Sequence, residues 1–161
     1  MTDLRRAVDE FLALERIAVV GVSGSKGEAA NVIYRKLREA GYKVFPVNPK
    51  ATELEGDVCY SDVGSIPGGV EGVVIATHPG VTSTVVEQCK EAGVGYVWMH
   101  RSFGTGSVSD KASELCAAAG ISFVPGACPM MFCEPVDLGH RCLRWILKAS
   151  GGLPEPAGDF G

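Results

Sequence analysis

Five short apolar runs, each of four residues and rich in β-branched or aromatic side chains, constrain the fold of this chain more than any other feature. They occupy positions 17–20, 44–47, 73–76, 96–99 and 121–124. Polar and apolar residues alternate little within them, which is typical of parallel strands that are covered on both faces. The runs therefore predict five buried strands in one sheet.

Helical repeats fill the intervals between these strands. Apolar residues recur at helical spacing in three groups: Ala30, Ile33, Tyr34 and Leu37; Val85, Val86, Cys89 and Ala92; and Ala112, Leu115, Cys116 and Ala119. Each of the three predicted helices ends in an Ala-Gly pair, and the glycines of these pairs, Gly41, Gly93 and Gly120, favour left-handed helix C-caps. The alternation predicts an α/β, single-domain, Rossmann-like fold: a doubly wound, mostly parallel five-stranded sheet in three layers. Its ligand crevice is expected at the carboxyl ends of the strands.

The length of the chain bears on its domain organisation. The 161 residues, of which 46% are hydrophobic, suffice for one well-filled core. An amphipathic helix is predicted over residues 1–15, and a closing helix over 136–148 with apolar Val136, Leu143, Ile146 and Leu147. We expect one domain over residues 1–150 and a flexible tail over 151–161.

Charge and hydropathy exclude several classes of partner. The formal net charge is −4 and no run is rich in lysine and arginine, so the chain has no electrostatic footprint for nucleic acid or an anionic membrane. No apolar stretch approaches the roughly 20 residues that span a bilayer, and the first helix has no signal-peptide core. Six cysteines are too few for a disulfide scaffold. We expect a cytoplasmic protein with reduced thiols and a small-molecule ligand.

A glycine-rich turn follows the first predicted strand. It reads Gly21, Val22, Ser23, Gly24, Ser25, Lys26 and Gly27, directly before the predicted helix over residues 29–40. Glycines there let the backbone approach an anion, while amides, serine hydroxyls, the helix N-terminus and the Lys26 charge attract it. This predicts a phosphate-binding loop. A tight β-to-α turn without a ligand is the alternative.

The end of the second strand bears on which nucleotide is bound. It reads Val47, Asn48, Pro49 and Lys50. NAD-binding domains usually place an aspartate or glutamate here to hold the ribose hydroxyls, and this chain has none. Lys50 instead offers a cation to a 2′- or 3′-phosphate, which favours coenzyme A (CoA) or NADP over NAD.

Taken together, these segments resemble the CoA-binding domains related to the nucleotide domain of the succinyl-CoA synthetase alpha subunit. The resemblance covers residues 17 to about 129. It rests on residues 21–23, Gly41 and Tyr42, 46–49, Gly56 followed by Tyr60, 77–79, and 97–99. The most specific element is the Gly-Tyr-x-Val-x-Pro-Val-Asn-Pro run that begins at Gly41.

The resemblance implies CoA or an acyl-CoA as the ligand and assigns residues to it. Gly21, Ser23 and Lys26, with Val22, Gly24 and Ser25 of the same loop, would surround the pyrophosphate. Asn48, Pro49 and Lys50 would lie near the adenosine 3′-phosphate, and Thr77, His78 and Pro79 would border the nucleotide from the neighbouring strand. His100, where the family more often carries an amide residue, and Arg101 are candidates for the thiol end.

No complete set of catalytic residues is recognisable. The three histidines, His78, His100 and His140, are each single and stand in no nucleophile or acid–base motif. The related synthetase carries its phosphorylated histidine in a second domain, for which this chain has no room. We therefore expect a binding or regulatory module without its own chemistry. The alternative, an NADP-dependent oxidoreductase, would need a hydride acceptor site and a proton donor.

A third hypothesis is a metal or thiol redox protein. Its candidate ligands are Cys128, Cys133, His140 and Cys142, but their spacing matches no common zinc or iron–sulfur signature, so no metal site is assigned. Cys128 is also a candidate for a mixed disulfide with CoA. Met130, Met131 and Phe132 suggest packing. They are also one candidate surface for a homodimer or an unidentified protein partner.

Overall fold

The computed structural model describes residues 3–102 and 104–133, and beyond them only positions 141, 146, 147 and 149. Its strands are β1 (Arg16–Val20), β2 (Lys43–Val47), β3 (Glu53–Leu54), β4 (Asp57–Val58), β5 (Gly72–Ile75), β6 (Tyr96–Met99) and β7 (Ser122–Pro125). Its helices are α1 (Asp3–Leu12), α2 (Ala29–Glu39), α3 (Pro79–Glu91) and α4 (Asp110–Ala119), with short 3₁₀ turns at Val63–Ser65 and Pro129–Met131. The five predicted strands form one parallel sheet in the order β2-β1-β5-β6-β7, and β3 and β4 form a separate antiparallel hairpin.

A single residue extends the sheet beyond β2. Tyr60 makes an isolated parallel bridge to Val47. Its amide donates to the carbonyl oxygen of Pro46 at 3.0 Å, and its carbonyl accepts from the amide of Asn48 at 2.9 Å. With this bridge counted as the remnant of a third strand, the sheet has the 3-2-1-4-5-6 order of dinucleotide-binding folds. The predicted Rossmann-like fold class is confirmed.

Two hydrophobic cores lie on the two faces of the sheet. Helices α1 and α2 cover one face and α3 and α4 the other, so successive strand residues point into different cores. In β1, Ile17 and Val19 belong to the first core, and Ala18 and Val20 to the second. Both faces are buried, as the continuous apolar runs predicted.

The predicted helices are confirmed, with differences at their ends. The apolar residues of each repeat are buried or partly buried, except Ala92 and Ala119, which are exposed at the C-terminal ends of α3 and α4. Gly41, Gly93 and Gly120 have φ values of 96°, 73° and 70°, which confirms the left-handed caps. The strand predictions at 73–76 and 121–124 were displaced by one residue.

Other expectations were wrong or fall outside the described residues. Met130 and Met131 are buried in the first core and Phe132 packs against it, which supports the packing interpretation of these residues and not the alternative of an exposed partner surface. Of the predicted closing helix, Arg141, Ile146 and Leu147 are described and helical; Leu147 packs against the first core, whereas Ile146 is 51% exposed. The proposed 150/151 boundary lies outside the described residues. Within the described ranges, no helix is long and apolar enough to cross a membrane.

Candidate functional site

The candidate site lies at the carboxyl edge of the sheet, where the chain leaves β1 toward one face and β5 toward the other. Gly21, the first residue after β1, has a φ of 112°. A β-carbon placed on it would lie 2.4 Å from the carbonyl oxygen of Ala76, so only glycine fits at this close approach. The backbones after β1 and β5 thus meet at the topological switch point, where open α/β sheets bind ligands.

The glycine-rich loop after Gly21 is held by Asn31, in the first turn of α2. The Ser23 amide donates to Asn31 Oδ1 at 3.0 Å, and Asn31 Nδ2 donates to the Ser23 carbonyl oxygen at 2.8 Å. Asn31 is fully buried and Ser23 partly buried, so both bonds are partly shielded from water. Our sequence reasoning missed this residue. The available signal was an asparagine at the third position of a helix that directly follows the loop.

The loop itself presents its middle to solvent. Gly24, Ser25 and Lys26 are exposed, and a β-carbon on Gly24 would meet no atom within 4 Å. The side chain of Val22, by contrast, is buried in the first core, so Val22 can offer a ligand only its backbone. The arrangement leaves open backbone at residues 24–26, beside the N-terminus of α2.

The second predicted segment is joined directly to this loop. Asn48 Nδ2 donates to the Val22 carbonyl oxygen at 3.0 Å, and Asn48 Oδ1 accepts from the Lys50 amide at 2.8 Å. Both ends of the side-chain amide are therefore engaged within the protein. Pro49 and Lys50 are exposed at the rim, so Lys50 can present its charge to a ligand from there.

The third segment, after β5, is held by Ser107. The Thr77 amide donates to Ser107 Oγ at 2.9 Å, and the same hydroxyl donates to the Thr77 carbonyl oxygen at 2.8 Å. Ser107 is itself fixed, because Thr82 Oγ1 donates to its carbonyl oxygen at 2.7 Å and both residues are buried. Ser107 was also missed by the sequence analysis, since it lies in the loop before α4.

His78 caps α3, and Pro79 is the first residue of that helix. His78 Nδ1 accepts a hydrogen bond from the Gly80 amide at 3.1 Å. An imidazole nitrogen that accepts is unprotonated, so the ring proton of the neutral form lies on Nε2. His78 therefore has one structural role already, as the N-cap of α3.

His100, at the end of β6, is packed against the loop that carries Ser107. Its carbonyl oxygen accepts from the Ser107 amide at 2.8 Å, and its Nε2 lies 3.2 Å from Ser102 Oγ. A β-carbon on Gly106 would lie 2.4 Å from the same carbonyl oxygen. Through Ser107, His100 is thus connected to the Thr77 segment.

The β3–β4 hairpin adds a carboxylate that the sequence analysis did not name. Glu55, in the hairpin turn, accepts hydrogen bonds from Asn31 and from Arg35 of α2. The Asn31 hydrogen bond, followed by the Arg35 charge and hydrogen bond, lowers the pKa of Glu55. Gly56, part of the resemblance, was the one sequence signal for this turn.

The rival metal cluster gains no support in the part of the chain that the structure describes. No group of three or more histidine, cysteine, aspartate or glutamate side chains there could hold a metal ion. Cys128 and Cys133 are both buried. The other two candidate ligands, His140 and Cys142, lie outside the described residues.

Comparison with known proteins identifies a family and several relatives. A family model described as the CoA binding domain matches residues 15–134. The chain is 28% identical over 141 residues to the ADP-forming acetate–CoA ligase of Methanocaldococcus jannaschii, covering 85% of this chain and 20% of the ligase. It is 33% identical over 110 residues to the alpha subunit of ADP-forming acetate–CoA ligase II of Pyrococcus furiosus, covering 66% of this chain and 24% of that subunit.

A solved structure of similar size shares the fold. A hypothetical protein from Pyrococcus horikoshii OT3 is 33% identical, with a TM-score of 0.71 over 81% of this chain and 88% of that one. The two ligase relatives are much longer, and this chain spans about a quarter of their length or less. The likeness to the Pyrococcus horikoshii structure therefore extends over most of both chains, whereas the likeness to the two ligases is confined to one segment of each ligase.

Proposed function

We propose, since the chain belongs to the CoA-binding domain family, that it binds CoA or an acyl-CoA at the carboxyl edge of its sheet. In this proposal the pyrophosphate lies over residues 21–26, the adenosine 3′-phosphate lies near residues 48–50, and residues 77–79 border the nucleotide. The chain acts as a binding or regulatory module without chemistry of its own.

The observation that carries the proposal is the close approach of Gly21 to Ala76. It brings the glycine-rich loop to the switch point and leaves the exposed backbone of Gly24 and Ser25 next to the N-terminus of α2. A helix N-terminus with free space above a glycine loop favours a phosphate group. Lys26 and Lys50, both exposed at this edge, supply full positive charges for an anionic ligand.

The end of β2 supports CoA over NAD. The residue in the ribose-binding position is Asn48, whose amide is engaged with Val22 and Lys50, and no carboxylate takes its place. Lys50, two residues further along the chain, is exposed at the rim of the site. In the proposal its positive charge lies near the phosphate group on the adenosine ribose. CoA carries that phosphate on the 3′-hydroxyl.

The proposal covers binding alone. Ligation is the activity of the longer relatives, of which the matched segment is a fifth to a quarter. In this chain His78 already serves as the cap of α3. We therefore assign a ligand site and no catalytic residue.

The proposal is tested by titrating the protein with CoA, acetyl-CoA, dephospho-CoA, NAD and NADP in parallel. A ligand that binds the folded state alone stabilises it by about 2.7 kcal/mol at 100 times its Kd. We expect the melting temperature to rise with the CoA species. A rise with NADP or NAD alone would overturn the choice of ligand.

Lys50→Ala locates the phosphate within the site. It should weaken CoA binding about tenfold, roughly one charge-assisted contact, and leave dephospho-CoA binding unchanged, because that ligand lacks the 3′-phosphate. Lys43→Ala is the matched control, since Lys43 is exposed at the opposite end of β2. Equal weakening of CoA and dephospho-CoA by Lys50→Ala would place the phosphate elsewhere.

A further inference from the structure

We propose that Glu55 is a positioning residue for the glycine-rich loop, acting through Asn31 and Arg35. The effect on ligand affinity rests on the proposed function, whereas the effect on the loop does not. In this arrangement a turn that is remote from the loop in sequence sets the conformation in which the loop receives an anion.

One oxygen of Glu55 joins two side chains of α2 that hold the loop. Glu55 Oε1 accepts from Asn31 Nδ2 and from Arg35 Nη1, each at 2.8 Å. Asn31 holds the Ser23 backbone on both its amide and its carbonyl side. Arg35 Nη2 donates to the carbonyl oxygen of Lys26 at 2.9 Å. The loop is thus held at Ser23 by Asn31 and at Lys26 by Arg35, and both of these side chains are hydrogen-bonded to Glu55.

The position of Glu55 is protected and conformationally demanding. Its side chain is only 6% exposed, so its hydrogen bonds compete little with water. Its φ is 55°, and that of Gly56 is 80°, which is the pattern of a two-residue hairpin turn that favours Asn-Gly or Asp-Gly. A glutamate in the left-handed region is disfavoured, and such strain persists where the surroundings enforce it, often at functional sites.

The charge of Glu55 is consistent with this role. A carboxylate without a cationic partner beside a phosphate loop would repel an anion, but the Glu55 carboxylate forms an ion pair with the Arg35 guanidinium at 2.8 Å. Glu55 also orients that guanidinium, so that its second nitrogen reaches the Lys26 carbonyl oxygen. The pair therefore orders the loop while adding little net charge to it.

Asp57 provides a matched control on the same hairpin. It accepts hydrogen bonds from the Tyr34 hydroxyl and from Arg38 Nη1, the latter at 2.9 Å. Like Glu55 it joins the hairpin to α2 through an arginine, but one helical turn further from the loop. Truncation of Asp57 removes a more exposed ion pair and leaves the Asn31 and Arg35 contacts of the Glu55 carboxylate in place. Arg38 Nη1 also donates to the Glu55 carbonyl oxygen at 2.8 Å, a backbone contact that both Asp57→Ala and Glu55→Ala retain.

The test compares Glu55→Ala with Asp57→Ala in two measurements: the Kd for CoA by calorimetry, and amide hydrogen exchange at Ser23 and Ser25 in the ligand-free protein. We expect Glu55→Ala to raise the Kd and to speed the exchange, each about tenfold, because an unfastened loop must be ordered on binding. Asp57→Ala should change neither by more than about twofold. Glu55→Gln keeps the accepting oxygen and should restore most of both properties.

One further variant and one further outcome separate the role of Glu55 from misfolding and from a failure of the proposed function. Glu55→Asp retains the charge and suits the turn, but withdraws the carboxylate by one methylene; it should behave like Glu55→Ala and replaces it if that variant does not fold. If the unsubstituted protein binds no CoA, the proposed function fails while the exchange measurement still tests the loop. Exchange and affinity equal to those of Asp57→Ala would overturn the inference.

Discussion

The side-chain amide of Asn48 donates a hydrogen bond to the carbonyl oxygen of Val22 at 3.0 Å, and so joins the loop after β2 to the loop after β1. Its Oδ1 accepts from the Lys50 amide at 2.8 Å. The residue that the family resemblance places near the adenosine 3′-phosphate thus uses both ends of its side-chain amide to brace two loops. Its contribution to binding is expected to be the geometry of those loops.

Asn48→Asp separates the two hydrogen bonds. One carboxylate oxygen can still accept from the Lys50 amide, but the other faces the Val22 carbonyl oxygen, and two acceptors cannot bond. We expect the free energy of unfolding to fall by about 1–3 kcal/mol and CoA binding to weaken. Urea unfolding and calorimetry measure the two effects. Native stability and native affinity in this variant would show that the brace has no importance.

Two glycines of the first loop should differ sharply in their response to alanine. A β-carbon on Gly21 would lie 2.4 Å from the backbone oxygen of Ala76, at a φ of 112°, so Gly21→Ala should cost more than about 2 kcal/mol of stability. Gly24→Ala meets open space and should change stability by about 0.5 kcal/mol or less. If the CoA pyrophosphate contacts the protein backbone at residue 24, Gly24→Ala still weakens CoA binding, because the added methyl group occupies the space that the phosphate would take. Thermal melts and CoA titrations distinguish the cases; native CoA affinity in Gly24→Ala would move the pyrophosphate away from this residue.

The features that could be predicted from the sequence depend on residues that are close together along the chain. The five sheet strands are apolar over consecutive residues, and the exposed loop residues Lys26 and Lys50 lie within six residues of the ends of β1 and β2. The side chains that hold those loops were not predictable in this way. Glu55 reaches Asn31 across 24 residues of sequence and Arg35 across 20, and Ser107 reaches Thr77 across 30. A periodic pattern within a short segment cannot predict contacts between residues so far apart in sequence.

Two further differences have equally physical causes. Strands β3 and β4 have two residues each, which is too short for an alternation pattern to be recognised. Met130 and Met131 are apolar in either environment, so composition alone did not separate a partner surface from the core in which they lie.

The acid dependence of stability should reveal the Glu55 contacts. Hydrogen bonding by Asn31 and the charge of Arg35 lower the pKa of Glu55 in the folded protein. A lowered pKa contributes stability that is present above the ordinary value of about 4.3 and is lost as the pH falls through the folded value. The difference in unfolding free energy between the native protein and Glu55→Gln should therefore shrink as the pH falls below about 4.3. Urea unfolding of both proteins measures it, and Asp57, whose pKa the Tyr34 hydroxyl lowers, is common to both and cancels. A difference independent of pH would contradict the assignment.

Three of the described cysteines, Cys89, Cys116 and Cys128, should be unreactive in the folded protein. Burial raises the pKa of Cys89 and of Cys116 to about 12, and the thiolate is the reactive form. Cys128, the candidate for a mixed disulfide with CoA, is 2% exposed. A short iodoacetamide pulse at about pH 8, followed by peptide mass spectrometry, should leave these three residues unlabelled, whereas the same pulse in concentrated guanidinium chloride labels them. Incubation with CoA disulfide should likewise leave Cys128 unmodified, because the attacking sulfur must reach solvent before exchange can occur. A CoA adduct on Cys128 under native conditions would instead return the thiol redox hypothesis to consideration and would place the thiol end of the ligand beside residue 128.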